Sequence, residues 1–255
     1  MDSYIFVHLM GGLGNQLFQY AAGMLHAKIT NGKLYLEKAF DNKHDHTDYR
    51  SELFTLGEKY DAELPPHISL YQENGFVPWN PNEFNYPILL LFGYFQNYPS
   101  LKPVLPEFKD HILENIKYKK NYMKIKYNIS SGSGFIHVRR GDYFKNNFQL
   151  KDLNYYNEAL KQFSNIHTWY ILSDDIKWCT QSKLFDNIKK VYVDDSDPVL
   201  CLSLMSEIKD AAIIANSTFS WMGAYLGCGT NNVVYPKLWI GSGTPDLFPD
   251  TWIGI

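Results

Sequence analysis

Apolar residues fall in two alternating patterns along this chain: short unbroken runs, and runs with helical spacing. Tyr4 to Leu9 is a largely apolar run of strand type. A glycine loop follows. From Gln16 to Lys28, Leu17, Ala21, Met24, Leu25 and Ala27 lie close to helical spacing, and Asn31-Gly32 stops that helix. Leu34 to Leu36 reads as a second strand. Asp41 to Arg50 is polar and reads as a surface loop, and from Pro65 to Pro87 Pro and Asn break up any period. Glu107 to Ile116 is again helical. Lys117 to Gly134, basic and then rich in Ser and Gly, reads as the passage between two domains, 1–125 and 126–255, with a solvated helix plus a loop as the alternative.

The second half is regular. Phe135–Val138, Trp169–Leu172, Val191–Val193, Ala211–Ala215 and Val233–Tyr235 are strand-like. Between them Tyr155–Phe163, Ile176–Leu184 and Pro198–Ile208 read as helices. Such alternation implies parallel pairing, and right-handed crossovers then give an open doubly wound sheet. Ligands of such sheets bind beyond the carboxyl ends of the strands. Polar residues gather there. His137, Arg139, Arg140 and Asp142 follow Ile136, and Ser173, Asp174 and Asp175 follow Leu172. Asp194 and Asp195 follow Val193, and Asn216, Ser217, Thr218 and Ser220 follow Ala215. Four strand ends feeding one edge mark a ligand site.

Two adjacent arginines narrow the ligand, because guanidinium forks match phosphate oxygens bidentately. Asp142 is placed to orient one of them. Ser217, Thr218 and Ser220 precede or begin a short helix, Trp221 to Leu226, whose hydroxyls and backbone N–H groups suit an anion. A diphosphate fits both features, with Asp174 or Asp175 reading a base edge or a ribose hydroxyl. In the first half, Gly11-Gly12-Leu13-Gly14-Asn15-Gln16 lacks the ending of a P-loop and fits the dinucleotide fingerprint poorly. It does permit close backbone approach at a helix N-terminus, with Asn15 as a polar handle.

Composition removes several classes. A net charge of -3 argues against a nucleic-acid binder. The longest apolar run, Ile88 to Phe95, is far short of the roughly 20 residues of a membrane span. Met1 to Leu9 has no basic stretch of signal-peptide type. Cys179, Cys201 and Cys228 form neither a zinc pattern nor a disulfide framework and read as buried, reduced thiols. The 19 tyrosines serve mainly the core, with some rings available to stack on sugars.

Three blocks carry a family resemblance. Gly11 to Tyr20, Gly-Gly-Leu-Gly-Asn-Gln-Leu-Phe-Gln-Tyr, resembles the N-terminal motif of the alpha-1,2-fucosyltransferases, glycosyltransferase family 11. Phe135 to Tyr143 looks like their His-x-Arg-Arg-x-Asp motif, and Asn216 to Leu226 is similar to their third block. Smaller echoes are Gly93 to Gln96, Glu52 to Phe54, and Tyr235 to Trp239. The resemblance implies an α/β GT-B fold, two Rossmann-like domains with parallel sheets facing a cleft. It implies transfer of L-fucose from GDP-beta-L-fucose to a galactoside 2-hydroxyl with inversion, and neither metal nor cofactor. Arg139 and Arg140 would hold the pyrophosphate, with His137 beside the nucleotide. Asn216, Ser217, Thr218 and Ser220 would line the donor site, and Gly14-Asn15 would approach it from the other domain. The acceptor would be a galactose-containing oligosaccharide or lipid-linked glycan of a bacterial surface, reached in the cytoplasm, with peripheral membrane contact left open. Two departures stand out: Met222 replaces the second of two consecutive tryptophans, and little chain follows Trp252.

Other readings compete. Asp195-Ser-Asp197 matches the Asp-x-Asp of metal-dependent transferases, and His44-Asp45-His46 is a polar loop with metal-type residues. A dinucleotide-dependent oxidoreductase would use Glu37 at the end of the second strand but needs a different glycine turn. A non-catalytic sugar-binding module leaves the arginine pair unexplained. A fucosyltransferase of another linkage is the nearest rival. The catalytic base has no assignment beyond Asp142, which is usable if no arginine ties it up.

Overall fold

The computed structural model describes residues 3–41, 46–55, 59–73, 79–83, 86–140, 153–239 and 246–255. The chain divides into two compact units, Met1–Asn115 with Pro245–Leu247, and Ile116–Thr244 with Phe248–Ile255.

The first unit is built on strands β1 (Tyr4–Met10), β2 (Lys33–Asp41), β3 (Lys59–Ala62), β4 (Ser69–Gln72) and β5 (Ile88–Phe92). They pair in parallel in the order β3-β2-β1-β5-β4. Helices α1 (Leu13–Thr30), α2 (Arg50–Leu53), α3 (Tyr98–Leu101) and α4 (Leu105–Asn115) accompany them. Ile5, Val7 and Leu9 are fully buried, and α1 packs on β1. That contact is close: a Cβ on Gly23 of α1 would lie 2.5 Å from the Val7 side chain. Burial of these side chains against one another is the main favourable term holding the layer together.

Several boundaries differ from expectation, each for a local reason. Helix α1 begins at Leu13 rather than Gln16, because the Gly12 carbonyl accepts from the amides of Asn15 (2.9 Å) and Gln16 (3.1 Å). It stops where expected, with Asn31 left-handed at φ 48. Strand β2 runs well past Leu36, through a bulge: Val7 faces Leu36, yet Leu9 faces Phe40. Arg50, the end of the stretch read as surface loop, is buried. It donates to the carbonyls of Glu37 and Ala39 in the bulge and pairs with Asp48 at 2.7 Å. The Pro- and Asn-rich stretch holds β4, too short to show a period. His44 and Asp45 lie outside the described residues.

The second unit has α5 (Lys117–Lys126), β6 (Ser133–Val138), α6 (Asn154–Leu160), β7 (Thr168–Ser173), α7 (Ile176–Gln181) and β8 (Lys190–Tyr192). After these come α8 (Pro198–Glu207), β9 (Ala211–Ile213), α9 (Thr218–Cys228), β10 (Val233–Tyr235) and β11 (Ile253–Gly254). The strands form a second parallel sheet in the order β11-β10-β9-β6-β7-β8. Its core gathers Ile136, Tyr156, Trp169, Ile171, Phe185 and Ile213. The stretch read as an inter-domain passage begins with helix α5, which belongs to this unit, and Lys120 and Lys124 both pair with Glu207 at the end of α8 (3.3 and 2.6 Å). Met222 is fully buried in α9 beside Trp221, which stacks on Tyr225. Cys179 is buried as expected, whereas Cys201 and Cys228 are only half-buried. Burial raises the thiol pKa of Cys179 to about 11 and of Cys201 to about 12.

Candidate functional site

Strand order decides where a ligand meets each sheet. In the second sheet, β6, β7 and β8 run outward in one direction and β9, β10 and β11 in the other. The switch point lies between β6 and β9, and open sheets bind ligands at such points. The turns beginning there are Arg139-Arg140 after β6 and Asn216-Ser217-Thr218 after β9. The Asp174-Asp175 turn after β7 flanks the first, since Val138 is in register with Ser173.

The arginines are held from that side. Asp174 accepts the Arg140 backbone N–H with one oxygen (2.9 Å) and lies 3.1 Å from Arg139 Nη1 with the other. Asp175 Oδ2 is 3.4 Å from Arg140 Nε, and its Oδ1 caps α7 by accepting from Trp178 N (3.1 Å). The guanidinium carbon of Arg140 sits 3.8 Å from the centre of the Trp178 ring, a cation–π stack. Both arginines are half-buried. Planar cations fixed at a sheet edge can receive phosphate oxygens without ordering two long side chains at the moment of binding. Asp174, expected to touch the ligand, uses both oxygens on the arginine turn. Asp142 lies outside the described residues.

His137 is sealed within β6, with its ring edge-on to Phe219 at 5.7 Å. Its Nδ1 has no hydrogen-bond partner among the described residues. Burial, helped by the charge of Arg139, lowers its pKa to about 3, so the ring is neutral at any working pH. It therefore adds no positive charge for a phosphate.

The β9–α9 turn divides its polar groups. Asn216, buried, donates to the Trp239 carbonyl at 3.0 Å. Ser220 is fully buried with Oγ 3.0 Å from the Ser217 carbonyl. These two hold the turn's shape. Ser217 is the N-cap residue without a side-chain cap bond, and Thr218 opens α9, three residues before the expected start at Trp221. The acidic pair is placed differently. Asp195 is taken by Lys126 (3.0 Å) and the Tyr127 hydroxyl (2.6 Å), and Asp197 caps α8 by accepting from Val199 N (2.7 Å). Both carboxylates thus have structural work in the fold.

The first sheet has its own switch point, between β1 and β5. The turns there are Gly11–Gly14 and Gly93–Gln96. Gly11 has φ 75, and a Cβ on it would lie 2.7 Å from Asn15 Nδ2. Buried Gln16 donates to the Gly11 carbonyl (2.8 Å), and buried Gln19 accepts from Met10 N (3.0 Å). The motif glutamines are therefore braces for the turn. Asn15 is the third residue of α1, not its first, and Gln96 Nε2 donates to its Oδ1 at 3.0 Å. Glu73 fixes that second turn, accepting the amides of Tyr94 (2.6 Å) and Phe95 (2.8 Å) with one oxygen. Sequence reasoning missed Glu73 and the role of Gln96. The Gly93 to Gln96 echo was a signal for Gln96, but Glu73 lies in the stretch without a readable period.

Over residues 4–255 the sequence matches the model of glycosyl transferase family 11. The chain belongs to glycosyltransferase family 11. This family-11 glycosyltransferase is 28% identical to the O-antigen biosynthesis glycosyltransferase WbnK of Escherichia coli, covering 97% of this chain and 99% of that one. It is also 28% identical to an alpha-1,2-colitosyltransferase of Escherichia coli, over 99% of each. Among solved structures it resembles POFUT1 in complex with GDP-fucose, with a TM-score of 0.54, 13% identity, and 100% and 97% of the two chains covered. The fucosyltransferase NodZ from Bradyrhizobium gives a TM-score of 0.55 at 11% identity, over 89% and 94%. At such identities the likeness concerns the fold. The two Rossmann-like units with parallel sheets are those of the GT-B class.

Proposed function

We propose that this family-11 glycosyltransferase moves L-fucose from GDP-beta-L-fucose to the 2-hydroxyl of a galactoside, with inversion at the anomeric carbon. The observation that carries the reading is the Arg139-Arg140 turn, oriented by Asp174 and Asp175 at the switch point of the second sheet. Its partner would be the diphosphate of the donor. The acceptor oxygen bonds to the anomeric carbon while the bond to GDP breaks, and the acceptor proton passes to a base, for which Asp142 is the candidate. Fixed guanidinium charge would stabilise the departing diphosphate, the role a metal plays in other transferases, so neither metal nor cofactor is required. Ser217 and Thr218 would face the donor, and Gly14 and Asn15 would bind substrate. The acceptor would be a galactose-containing oligosaccharide or lipid-linked precursor of a surface glycan, glycosylated in the cytoplasm. Among the described residues no helix is long and apolar enough to cross a membrane.

The test is incubation with GDP-fucose, a panel of galactosides and excess EDTA, with product linkage read by NMR. An alpha-1,2 fucoside is expected. A beta-linked product, another linkage, or activity lost to EDTA and restored by manganese contradicts the corresponding part. A second donor sugar has one specific observation in its favour, the colitosyltransferase relative. GDP-colitose in the same panel separates the two.

Asn15→Ser tests the first unit. Its capping role is minor, since Gly12 is the N-cap. Loss of the bond to Gln96 and of any substrate contact is expected to lower turnover by about tenfold or more, equivalent to roughly 1.4 kcal/mol. The melting temperature should fall by no more than about 4 °C. Unchanged turnover would rule out a functional role for the amide.

A further inference from the structure

The two most exposed large apolar side chains among the described residues lie on one helix. Tyr118 is 81% and Ile125 72% exposed, and Tyr122 between them is 52% exposed. All three are in α5, at positions i, i+4 and i+7, so they form a single stripe. The opposite side of the helix is anchored. Met123 and the preceding Ile116 are fully buried, and Lys120 and Lys124 turn toward Glu207. The stripe therefore points away from the unit that α5 packs on.

Every charged residue of α5 is a lysine: Lys117, Lys119, Lys120, Lys124 and Lys126. Helical spacing puts Lys117 on one flank of the stripe and Lys119 and Lys126 on the other. Lys117 Nζ lies 5.3 Å from the Tyr118 ring centre, and Lys126 Nζ 5.9 Å from that of Tyr122, with Lys126 also paired to Asp195. Tyrosine rings with polar tips, an aliphatic side chain and flanking cations are the chemistry of a helix lying at a bilayer surface. Tyr favours the headgroup level, and lysines gain from anionic lipid. A protein partner fits less well. Protein interface cores are depleted of lysine, and three side chains on ten residues fall well short of the roughly 800 Å² per partner of a stable interface.

We propose that the Tyr118–Tyr122–Ile125 face of α5 docks the enzyme on an anionic membrane surface, with Lys117 and Lys119 on the headgroups. This docking is independent of which sugar the enzyme transfers.

Vesicle flotation of the full chain tests it, with phosphatidylglycerol-containing vesicles against pure phosphatidylcholine. The wild type should float with the anionic vesicles, remain behind with the neutral ones, and be released by about 0.5 M salt as charges are screened. The combined variant Tyr118→Ser, Tyr122→Ser, Ile125→Ser should partition on the order of tenfold less. Lys117→Gln with Lys119→Gln should lose on the order of fivefold per lysine. Tyr118, Tyr122 and Ile125 are exposed enough that the triple-serine variant should melt with the wild type. The proposal fails if the wild type does not float, or if the triple-serine variant floats as well as wild type. It fails equally if α5 instead mediates a dimer, seen in sedimentation velocity as self-association that the serine variant abolishes without any vesicle binding.

Discussion

Arg140→Ala is expected to lower turnover of GDP-fucose by about 100- to 1,000-fold, with a smaller loss of GDP affinity. Negative charge on the diphosphate grows as the sugar bond breaks, so a fixed guanidinium favours the transition state over the ground state. Loss of one such donor costs on the order of 3–4 kcal/mol. Arg140→Lys should be nearly as damaging. It keeps the charge but gives up the planar fork, the stack on Trp178 and the approach of Nε to Asp175. Arg139→Ala should behave likewise, since Arg139 is held by Asp174 as Arg140 is by Asp175. If these arginines serve only an ion-pair network, the variants will lose melting temperature while each folded molecule still binds GDP and turns over normally.

Mild acid should destabilise the fold by a few kcal/mol well before the carboxylates protonate. His137 is buried with its pKa lowered to about 3, first by burial and then by Arg139. His26 is fully buried against Trp79 at 5.3 Å, and burial lowers its pKa to about 4. Neither His26 ring nitrogen has a hydrogen-bond partner among the described residues. Both rings stay neutral in the folded chain while the unfolded chain takes up protons near pH 6.5, the ordinary histidine value. The unfolded state then binds more protons, so stability is whole above about pH 6.5 and drains away as pH falls toward 4 and 3. Two groups losing about 1.4 kcal/mol per pH unit consume much of a typical 5–15 kcal/mol by pH 4.5. His26→Leu should leave the pH 7 melting temperature level or higher, because it removes a buried ring whose nitrogens have no hydrogen-bond partner among the described residues. It should also flatten the decline between pH 6.5 and 5. A wild-type melting temperature constant from pH 7 to 5 would contradict this.

The second unit was legible because its strands β6 to β10 are apolar runs closed by polar residues, so Arg139, Asp174 and Asn216 marked the sheet edge directly; β11, two residues long, gave no such signal. What the run of residues could not give is strand order. The switch point between β6 and β9 exists only once distant strands pair, and it is what separates the arginine turn from the Asp194-Asp195 turn after β8, the sheet's edge strand. Nor could sequence show that Asp174 and Asp175 serve the arginines, since an acidic turn looks the same whether it reads a sugar or orients a cation. The first unit was harder. Strand β4 has four residues, the bulge in β2 depends on buried Arg50, and the link from Glu73 through the Gly93–Gln96 turn to Asn15 joins segments far apart in sequence. Helix α5 was masked by its composition. Five lysines in ten residues fit a linker as well as a solvated helix, while its attachment to Glu207 comes from a helix some 80 residues later.

The most direct measurement is calorimetric titration of GDP into the wild type, Arg139→Ala and Arg140→Ala, with a thermal melt of each. GDP should bind the wild type, in EDTA as well as without it. Each alanine variant should bind GDP at least about tenfold more weakly while melting within a few degrees of wild type, a difference of about 1.4 kcal/mol or more per arginine. Wild-type GDP affinity in both variants would contradict the assignment of the arginine turn as the diphosphate site.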